Sequence, residues 1–295
     1  MDIKNINTFI RVAELKSFTK VALESNYAQS TVTAQIQQLE RELGYMLFDR
    51  IGKTVSLTSL GNEFLKYAYS ISAELERAMS LNNDSNEVSG DLRVGVIESL
   101  LFHSLKDILP EYKKRYANVN VKIKMGQTTE LIEMLKQNLL DLVYISAEIN
   151  TDNDLLCILQ KEEELLFLSS PAHPLASKPK IPTADLFDYD FVVTEQSGVC
   201  YGRLKQLAAQ SAKTLNTIVE VDSTLIIADM IEKNLGLGFL PGYSVADEIQ
   251  SGDICALDVD LSKQLYYRQI LCHKNKWQSP IIKSFTKEIE EYVFI

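Results

Sequence analysis

The sequence is poor in the residues on which metal sites, disulfide scaffolds and nucleophilic catalysis rest. It has four cysteines, three histidines and one tryptophan in 295 residues. Cys157, Cys200, Cys255 and Cys272 stand far apart, and no pair has metal-ligand spacing. Three of them sit in apolar surroundings, which predicts buried structural thiols; Cys200, in the loop SGVCYG, is the one placed to line a site. No nucleophile motif and no phosphate-cradling glycine loop occurs, and His173 before Pro174 reads as loop structure, so an enzyme is not expected. No run of 18 apolar residues exists, which excludes a membrane-spanning helix of ordinary length. The opening stretch MDIKNINTFIRVAEL intersperses its charges and lacks an apolar core with a cleavage site. The expectation is a cytoplasmic protein without an export signal.

Positive charge is also scarce, with a net charge of -10. Position matters more than the total. Residues 1–67 hold 8 Lys/Arg against 7 Asp/Glu, and residues 68–295 hold 22 against 33. The acidic excess therefore lies downstream, and a near-neutral N-terminal unit can bind DNA if its cations face one side. What remains is a composition of 46% hydrophobic and 24% charged residues, that of a globular protein and not a disordered one. The length suits two or three domains.

Ile3, Ile6, Phe9, Ile10 and Ala13 recur at helical spacing and predict a first amphipathic helix. Ser17 stands as N-cap before a short second helix with Phe18, Val21 and Ala22. A third helix follows the break at Asn26-Tyr27, with Val32, Ile36, Leu39 and Leu43 on one face and Gly44 ending it. Residues 46–50 and 54–57 predict a hairpin turning at Ile51-Gly52-Lys53. Thr58 or Ser59 then caps a long helix in which Leu60, Phe64, Tyr67, Ile71, Leu75 and Ala78 recur at spacings of 4, 3, 4, 4 and 3. That pattern fits a coiled-coil seam, and also an ordinary helix packed on its own domain. The polar stretch NNDSNEVSG, 82–90, reads as a domain boundary.

From Asp91 strands and helices alternate. Strands are predicted at 92–97, 119–125, 141–146, 165–170, 191–195, 217–221, 237–241 and 269–273, with helices between them and a last helix at 281–292. Such alternation implies a parallel sheet covered by helices, arranged as two similar α/β halves without a close sequence repeat.

The second and third helices make a helix-turn-helix. Ala22 is small enough for the helices to approach, and residues 29–35 (QSTVTAQ) place short polar side chains on the turns that enter a major groove. Gln bonds adenine bidentately, and Ser and Thr contact base edges or phosphates. A solvated polar helix face has the same composition. The surrounding run, residues 12–68, narrows the choice: it contains Ser17-Phe18-Thr19, Gln29, Val32-Thr33, Gln35-Ile36, Leu39-Glu40, Leu43-Gly44, Leu47-Phe48, Arg50, Leu57-Thr58 and Gly61. In these positions it closely resembles the LysR-type transcriptional regulators. Lys16, Ser25 and Ala28 depart from that pattern, where the family usually has Gly, Leu and Ser. Downstream, DLVYIS, HPLA and LGLGFLP are similar to pieces of the family's sensor domain.

The resemblance implies an α/β protein with an N-terminal winged helix-turn-helix (1–58), a linker and dimerisation helix with its hinge (59–90), and a two-lobed effector domain like the periplasmic binding proteins (91–295). Lobe I would comprise about 91–161 and 268–295, and lobe II about 162–267. It implies a transcription regulator acting on double-stranded DNA as a homodimer or homotetramer, modulated by a small-molecule effector, with RNA polymerase as a further partner. No cofactor or metal is expected. A small-molecule receptor or an enzyme with an accessory helix-turn-helix is the alternative reading. DNA contacts are expected from Ser17, Thr19, Gln29, Ser30, Thr31, Thr33 and Gln35 in the helix-turn-helix, and from Arg50 and Lys53 in the wing. Ligands of open α/β sheets sit beyond the carboxyl ends of the strands. Those ends carry Ser99, Thr128, Ser197 and Ser223, with Arg203 one turn into a helix, and they predict a cleft for a small polar metabolite, an anion sooner than a cation. Arg203 would meet a carboxylate effector, pair with Glu195, or lie in solvent.

Overall fold

The computed structural model describes residues 1–51, 54–80, 88–196 and 198–293; the side chains of Arg50, Ile51, Thr54, Ala73, Glu76, Arg77, Met79 and Ser80 lie outside that description. Three helices come first: α1 (Ile3–Leu15), α2 (Phe18–Glu24) and α3 (Gln29–Leu43). A hairpin, β1 (Phe48–Ile51) and β2 (Thr54–Leu57), and the long α4 (Ser59–Ser80) complete the unit. Its core is built from the apolar faces that periodicity marked: Ile6, Phe9, Val21, Val32, Ile36 and Leu39 are buried together. The Phe9 ring meets those of Phe48 and Phe64 at 5.4 and 5.2 Å, which ties the hairpin and α4 to α1.

The three departures noted above have local consequences. Lys16 ends α1 with φ 49°, in the left-handed region where a β-carbon is strained and glycine is not. Ser25 takes the C-cap of α2 in ordinary right-handed geometry. Ala28 occupies the N-cap of α3 and supplies no side-chain acceptor, so the first amides of that helix have no side-chain cap.

A buried carboxylate holds the wing. Glu40, on the inner face of α3, accepts hydrogen bonds from the backbone amides of Leu47 (2.8 Å) and Phe48 (3.3 Å). On the far side Thr58 Oγ1 accepts from the Gly61 amide at 2.9 Å, capping α4, and donates to the Met46 carbonyl at 2.8 Å. A β-carbon on Gly61 would lie 2.1 Å from the Leu47 carbonyl oxygen, so only glycine lets α4 approach the hairpin this closely.

The expected seam on α4 divides between two faces. Phe64 is buried in the N-terminal core, where Ile71 also packs. Leu60 and Tyr67 are exposed at 48% and 60%. A helix of period 3.6 cannot keep every member of that series on one face when its own core claims Phe64.

The remainder is a three-layer α/β region. In chain order it contains β3 (Gly90–Val96), α5 (Glu98–Leu100), a π turn (Leu101–Leu105), α6 (Lys106–Arg115), β4 (Val119–Met125), α7 (Thr128–Lys136), β5 (Leu142–Ala147) and β6 (Leu155–Ser169). Then follow β7 (Ile181–Pro182), α8 (Thr183–Leu186), β8 (Phe191–Val193), α9 (Val199–Gln210), β9 (Thr217–Glu220), α10 (Thr224–Glu232) and β10 (Gly238–Pro241). A 3-10 turn (Gly242–Val245), α11 (Ala246–Ser251), β11 (Cys255–Ala256), β12 (Val259–Asp260), β13 (Gln264–His273) and α12 (Pro280–Val293) close the chain. Alternate residues of β3 and β5 serve opposite layers. Leu92, Val94 and Tyr144 face α6 and α12, whereas Val143 and Ile145 face α7.

The sheet is mixed and not wholly parallel. Its order is β10-β6-β13-β5-β3-β4, with β11 also on β6. β3 pairs in parallel with β4 and β5, but β13 runs antiparallel to β5 and β6, and β6 antiparallel to β10. β6 has 15 residues and β13 has 10, and both run from one half of the region into the other. The divisions expected at 161/162 and 267/268 fall inside this pair, where Lys161 faces Arg268 and Glu162 faces Tyr267.

The N-terminal unit rests on the first α/β half. Asn138 Nδ2 donates to the buried Glu14 of α1 at 3.1 Å, and Tyr69 of α4 donates to the Gln137 carbonyl at 3.3 Å. Asn138 in turn accepts from Lys276 at 2.8 Å, and Lys276 lies 2.7 Å from Asp141. Burial alone would raise the Asp141 carboxyl, but Arg93 and Lys276 hold it down at about 2.

Relief of the left-handed strain in Lys16→Gly is expected to stabilise the N-terminal unit by about 1 kcal/mol. Gly61→Ala is expected to destabilise it by about 1–3 kcal/mol through forced displacement of the hairpin. Hydrogen exchange of the α1–α3 amides in the full chain reads both. Slower exchange in Lys16→Gly and faster exchange in Gly61→Ala are the expected results, and unchanged rates contradict the assignments.

Candidate functional site

Two surfaces carry the chemistry. On the first, Ser17 Oγ caps α2 by accepting from the Lys20 amide at 3.2 Å, and so belongs to the scaffold of the turn. Thr19 is exposed and donates to Gln29 Oε1 at 3.2 Å, fixing the amide at the start of α3. Gln29, Ser30 and Thr31 are exposed together, and Val32 is turned into the core. Thr33 is half-buried and its hydroxyl donates back to the Gln29 carbonyl at 3.0 Å. Gln35 is half-buried and accepts from Thr8 of α1 at 2.8 Å. The structure thus leaves Thr19, Gln29, Ser30 and Thr31 exposed at the first turn of α3, while Ser17, Thr33 and Gln35 are engaged in holding that turn in place. Arg50 lies on β1 with its side chain outside the described residues, and Lys53 lies outside them altogether. Sequence reasoning passed over Glu40 as part of a pattern, although it is the residue that fixes the wing to α3.

The second surface is a cavity of about 430 Å³ between the two α/β halves, within the usual range for small-molecule sites. Ser99, Thr128 and Ser223 line it. Ser197 lies outside the described residues. Arg203 does not line the cavity. Its guanidinium lies 3.5 Å from Glu148, beyond the end of β5, and this ion pair joins the two halves. Glu195 is therefore not its partner among the described ion pairs.

Three hydrogen-bonded contacts also cross the cleft. Glu98 accepts from Ser223 Oγ and from the Thr224 amide, both at 2.9 Å, so a carboxylate of one half caps α10 of the other. Gln127 donates to Asp222 at 3.1 Å, and the hydroxyls of Ser99 and Tyr243 meet at 2.9 Å. Among these groups only Ser99 and Ser223 were singled out from sequence. Glu98 and Tyr243 belong to segments whose partner is more than 100 residues away in the chain.

The electrostatics reverse the expected charge. Glu98, Glu130, Glu195 and Asp222 line the cavity, and no Lys, Arg or His does so among the described residues. Helix N-termini do face the cleft, as strand-helix order requires. The carboxylates come from strand ends and first helical turns that sequence order kept apart. Burial, followed by the hydrogen bond with Asp222, pushes the Glu195 carboxyl up to about 7. Burial pushes the Cys200 thiol, also in the lining, up to about 12, so it stays protonated at neutral pH. Cys272 is buried as expected, whereas Cys157 and Cys255 are half-buried.

Comparison with known proteins follows the same division. The family described as "Bacterial regulatory helix-turn-helix protein, lysR family" matches residues 3–62, and "LysR substrate binding domain" matches residues 85–293. The Bacillus subtilis protein named uncharacterized HTH-type transcriptional regulator YwqM is 32% identical over 287 residues, covering 97% of each chain. In fold, a full-length OxyR variant from Pseudomonas aeruginosa superposes with a TM-score of 0.77 at 21% identity, covering 99% of this chain and 96% of that one. The regulatory domain of CcmR from Synechocystis, in complex with 2-PG, gives a TM-score of 0.60 at 22% identity, over 69% of this chain and 97% of that one.

The Glu195 shift sets a pH dependence. A carboxyl raised in the folded state binds its proton more tightly there, so its effect on stability is most favourable below the ordinary value of 4.5 and is lost as pH rises towards about 7. Thermal unfolding of the wild type against Glu195→Gln across that window tests this. The wild type is expected to lose stability relative to the variant as pH rises, and parallel curves contradict it.

Proposed function

The chain belongs to the LysR family of helix-turn-helix transcription regulators, and from that premise we propose that occupation of its interlobe cavity sets how the α3 face engages DNA. As a member of that family it is a DNA-binding regulator and not an enzyme. The observation that carries the proposal is the pairing, in one chain, of the exposed Gln29–Ser30–Thr31 turn with an interlobe cavity of about 430 Å³. Gln29 and Thr31 read base edges, with Thr19 orienting the Gln29 amide; Arg50 and Lys53 hold phosphates. The exposed Leu60 and Tyr67 of α4 supply the apolar part of a homodimer contact, and a homotetramer is the assembly proposed on DNA. The working division stays 1–58, 59–90 and 91–295, with the two lobes meeting along β6 and β13. RNA polymerase is the proposed downstream partner and the cytoplasm the proposed location. No helix of the described residues is long and apolar enough to cross a membrane.

Sequencing of genomic DNA retained by the full-length protein identifies the operator. On that operator Gln29→Ala is expected to lose about 1–3 kcal/mol and to relax preference at one position, with little change on random DNA. Lys53→Ala is expected to weaken both DNAs alike and lower the salt slope by about one. Equal losses on operator and random DNA for Gln29→Ala contradict the base-reading role. A thermal-shift screen of the full chain against small metabolites tests the cleft. A stabilising compound is expected to lose its effect in Thr129→Trp, which fills the exposed rim of the cavity. A compound that acts equally on both proteins binds elsewhere.

A further inference from the structure

Three of the four carboxylates around the cleft are already answered by partners of different strength. Glu98 accepts from the α10 amide and the Ser223 hydroxyl, and Glu130 lies 3.1 Å from Lys124. Asp222 receives the neutral Gln127 amide and shares a hydrogen bond with the Glu195 carboxyl, and neither acid has an ion-pair partner among the described residues. These two side chains follow β8 and β9, which are adjacent parallel strands, and their carboxyl groups meet across the end of that pair. Two acidic groups forced together at the wall of a cavity repel unless one keeps a proton or a cation sits between them.

A second, independent feature lies in the same cavity. Ser146, at the end of β5, is 3% exposed and lines the cleft, and its hydroxyl makes no close hydrogen bond, its neighbour being the Tyr243 hydroxyl that is already bonded to Ser99. The buried hydroxyl of Thr194, next to Glu195 in the lining, is also without one. Buried hydroxyls are rarely left unbonded, and two in the wall of one cavity mark where a polar guest would bond.

We propose that the cleft recognises an organic cation, whose ammonium or amidinium group sits between Glu195 and Asp222 while its body packs against the rings of Tyr243 and Tyr266. This rests on the reading of the cleft as the effector site and adds the chemical class of the effector. An anion would enter a cavity with four carboxylates and no cationic side chain in its described lining. A bare divalent metal needs more oxygen ligands than this pair gives, and no group of three metal-binding side chains exists among the described residues. An organic nitrogen cation is satisfied by two carboxylates and hydroxyl acceptors, and tyrosine faces favour it further.

Calorimetry of the full-length protein with benzamidine, benzamide and benzoate separates the classes, because the three share one ring and differ in charge. Benzamidine is expected to bind at least about tenfold more tightly than benzamide, with benzoate weakest. The isosteric double substitution Glu195→Gln with Asp222→Asn is expected to remove that preference, with wild-type thermal unfolding as the check on its fold. Benzoate binding as tightly as benzamidine overturns the proposal, as does a double variant that keeps full benzamidine affinity. A neutral or anionic probe that binds at least as tightly as benzamidine and is blocked by Thr129→Trp also overturns it, while leaving the cleft as the effector site. Benzamidine binding that Thr129→Trp does not block overturns the placement of the cation in this cleft.

Discussion

The antiparallel pairing of β6 with β13 is the constraint on which the regulatory half of the molecule depends. Register runs from Gln264 opposite Leu165 to His273 opposite Leu155, with one irregularity between Ile270 and Leu271. These strands carry the chain out of one half and back again, so the halves stay side by side and their other strand ends face each other across a cleft. A ladder of backbone hydrogen bonds can twist without breaking, and it lets the halves change their separation while keeping their register. At the middle of the pair Arg268 is buried against Glu163 and over the Tyr243 ring, 4.7 Å from its centroid. That buried ion pair sits behind a cavity residue, so ring position and strand crossing are mechanically joined.

The mouth of the cleft is closed by weaker, individually replaceable contacts. The Glu98–Ser223, Gln127–Asp222, Ser99–Tyr243 and Arg203–Glu148 contacts each link the two halves. A guest that bonds Asp222 or Ser99 competes with some of these contacts and reinforces others, and it therefore biases the angle between the halves. The first half carries that bias onward, because Asn138 and Gln137 bond α1 and α4 of the DNA-binding unit. Desolvation pushes the buried Glu14 carboxyl up, which the Arg11 guanidinium opposes. The proposed chain from cavity to DNA-binding unit is thus a set of polar contacts at two interfaces, which reach α1 and α4.

Much of this was legible from sequence where one side chain has one role. Val32, Ile36 and Leu39 announced the inner face of α3, and Ser17 and Thr58 announced caps that the structure contains. Ser99, Thr128 and Ser223 were found because strand ends and helix caps place hydroxyls at one edge of a sheet. Less legible were residues whose role depends on distant partners. Glu40 looks like one more surface acid on a polar helix, yet it is buried because two hairpin amides need an acceptor. The segment KEEE, 161–164, interrupts the apolar pattern of β6 and hid its continuity; the strand persists because Glu163 pairs with Arg268 and Lys161 donates to the Val293 carbonyl. The charge of the cavity was misread for the same reason. Glu98, Glu195 and Asp222 come from three separate segments, and only the folded sheet brings their carboxylates together.

Linkage gives the most direct test of the central claim that cavity and α3 face are coupled. The affinity of a cleft ligand is measured by calorimetry on the full-length protein, free and saturated with operator DNA. Coupling of about 1–3 kcal/mol, typical of allosteric proteins, corresponds to a change of roughly 5- to 150-fold, and DNA affinity must shift by the same factor with and without ligand. A matched shift in both directions is the predicted result. Identical ligand affinities on free and DNA-bound protein would contradict the account.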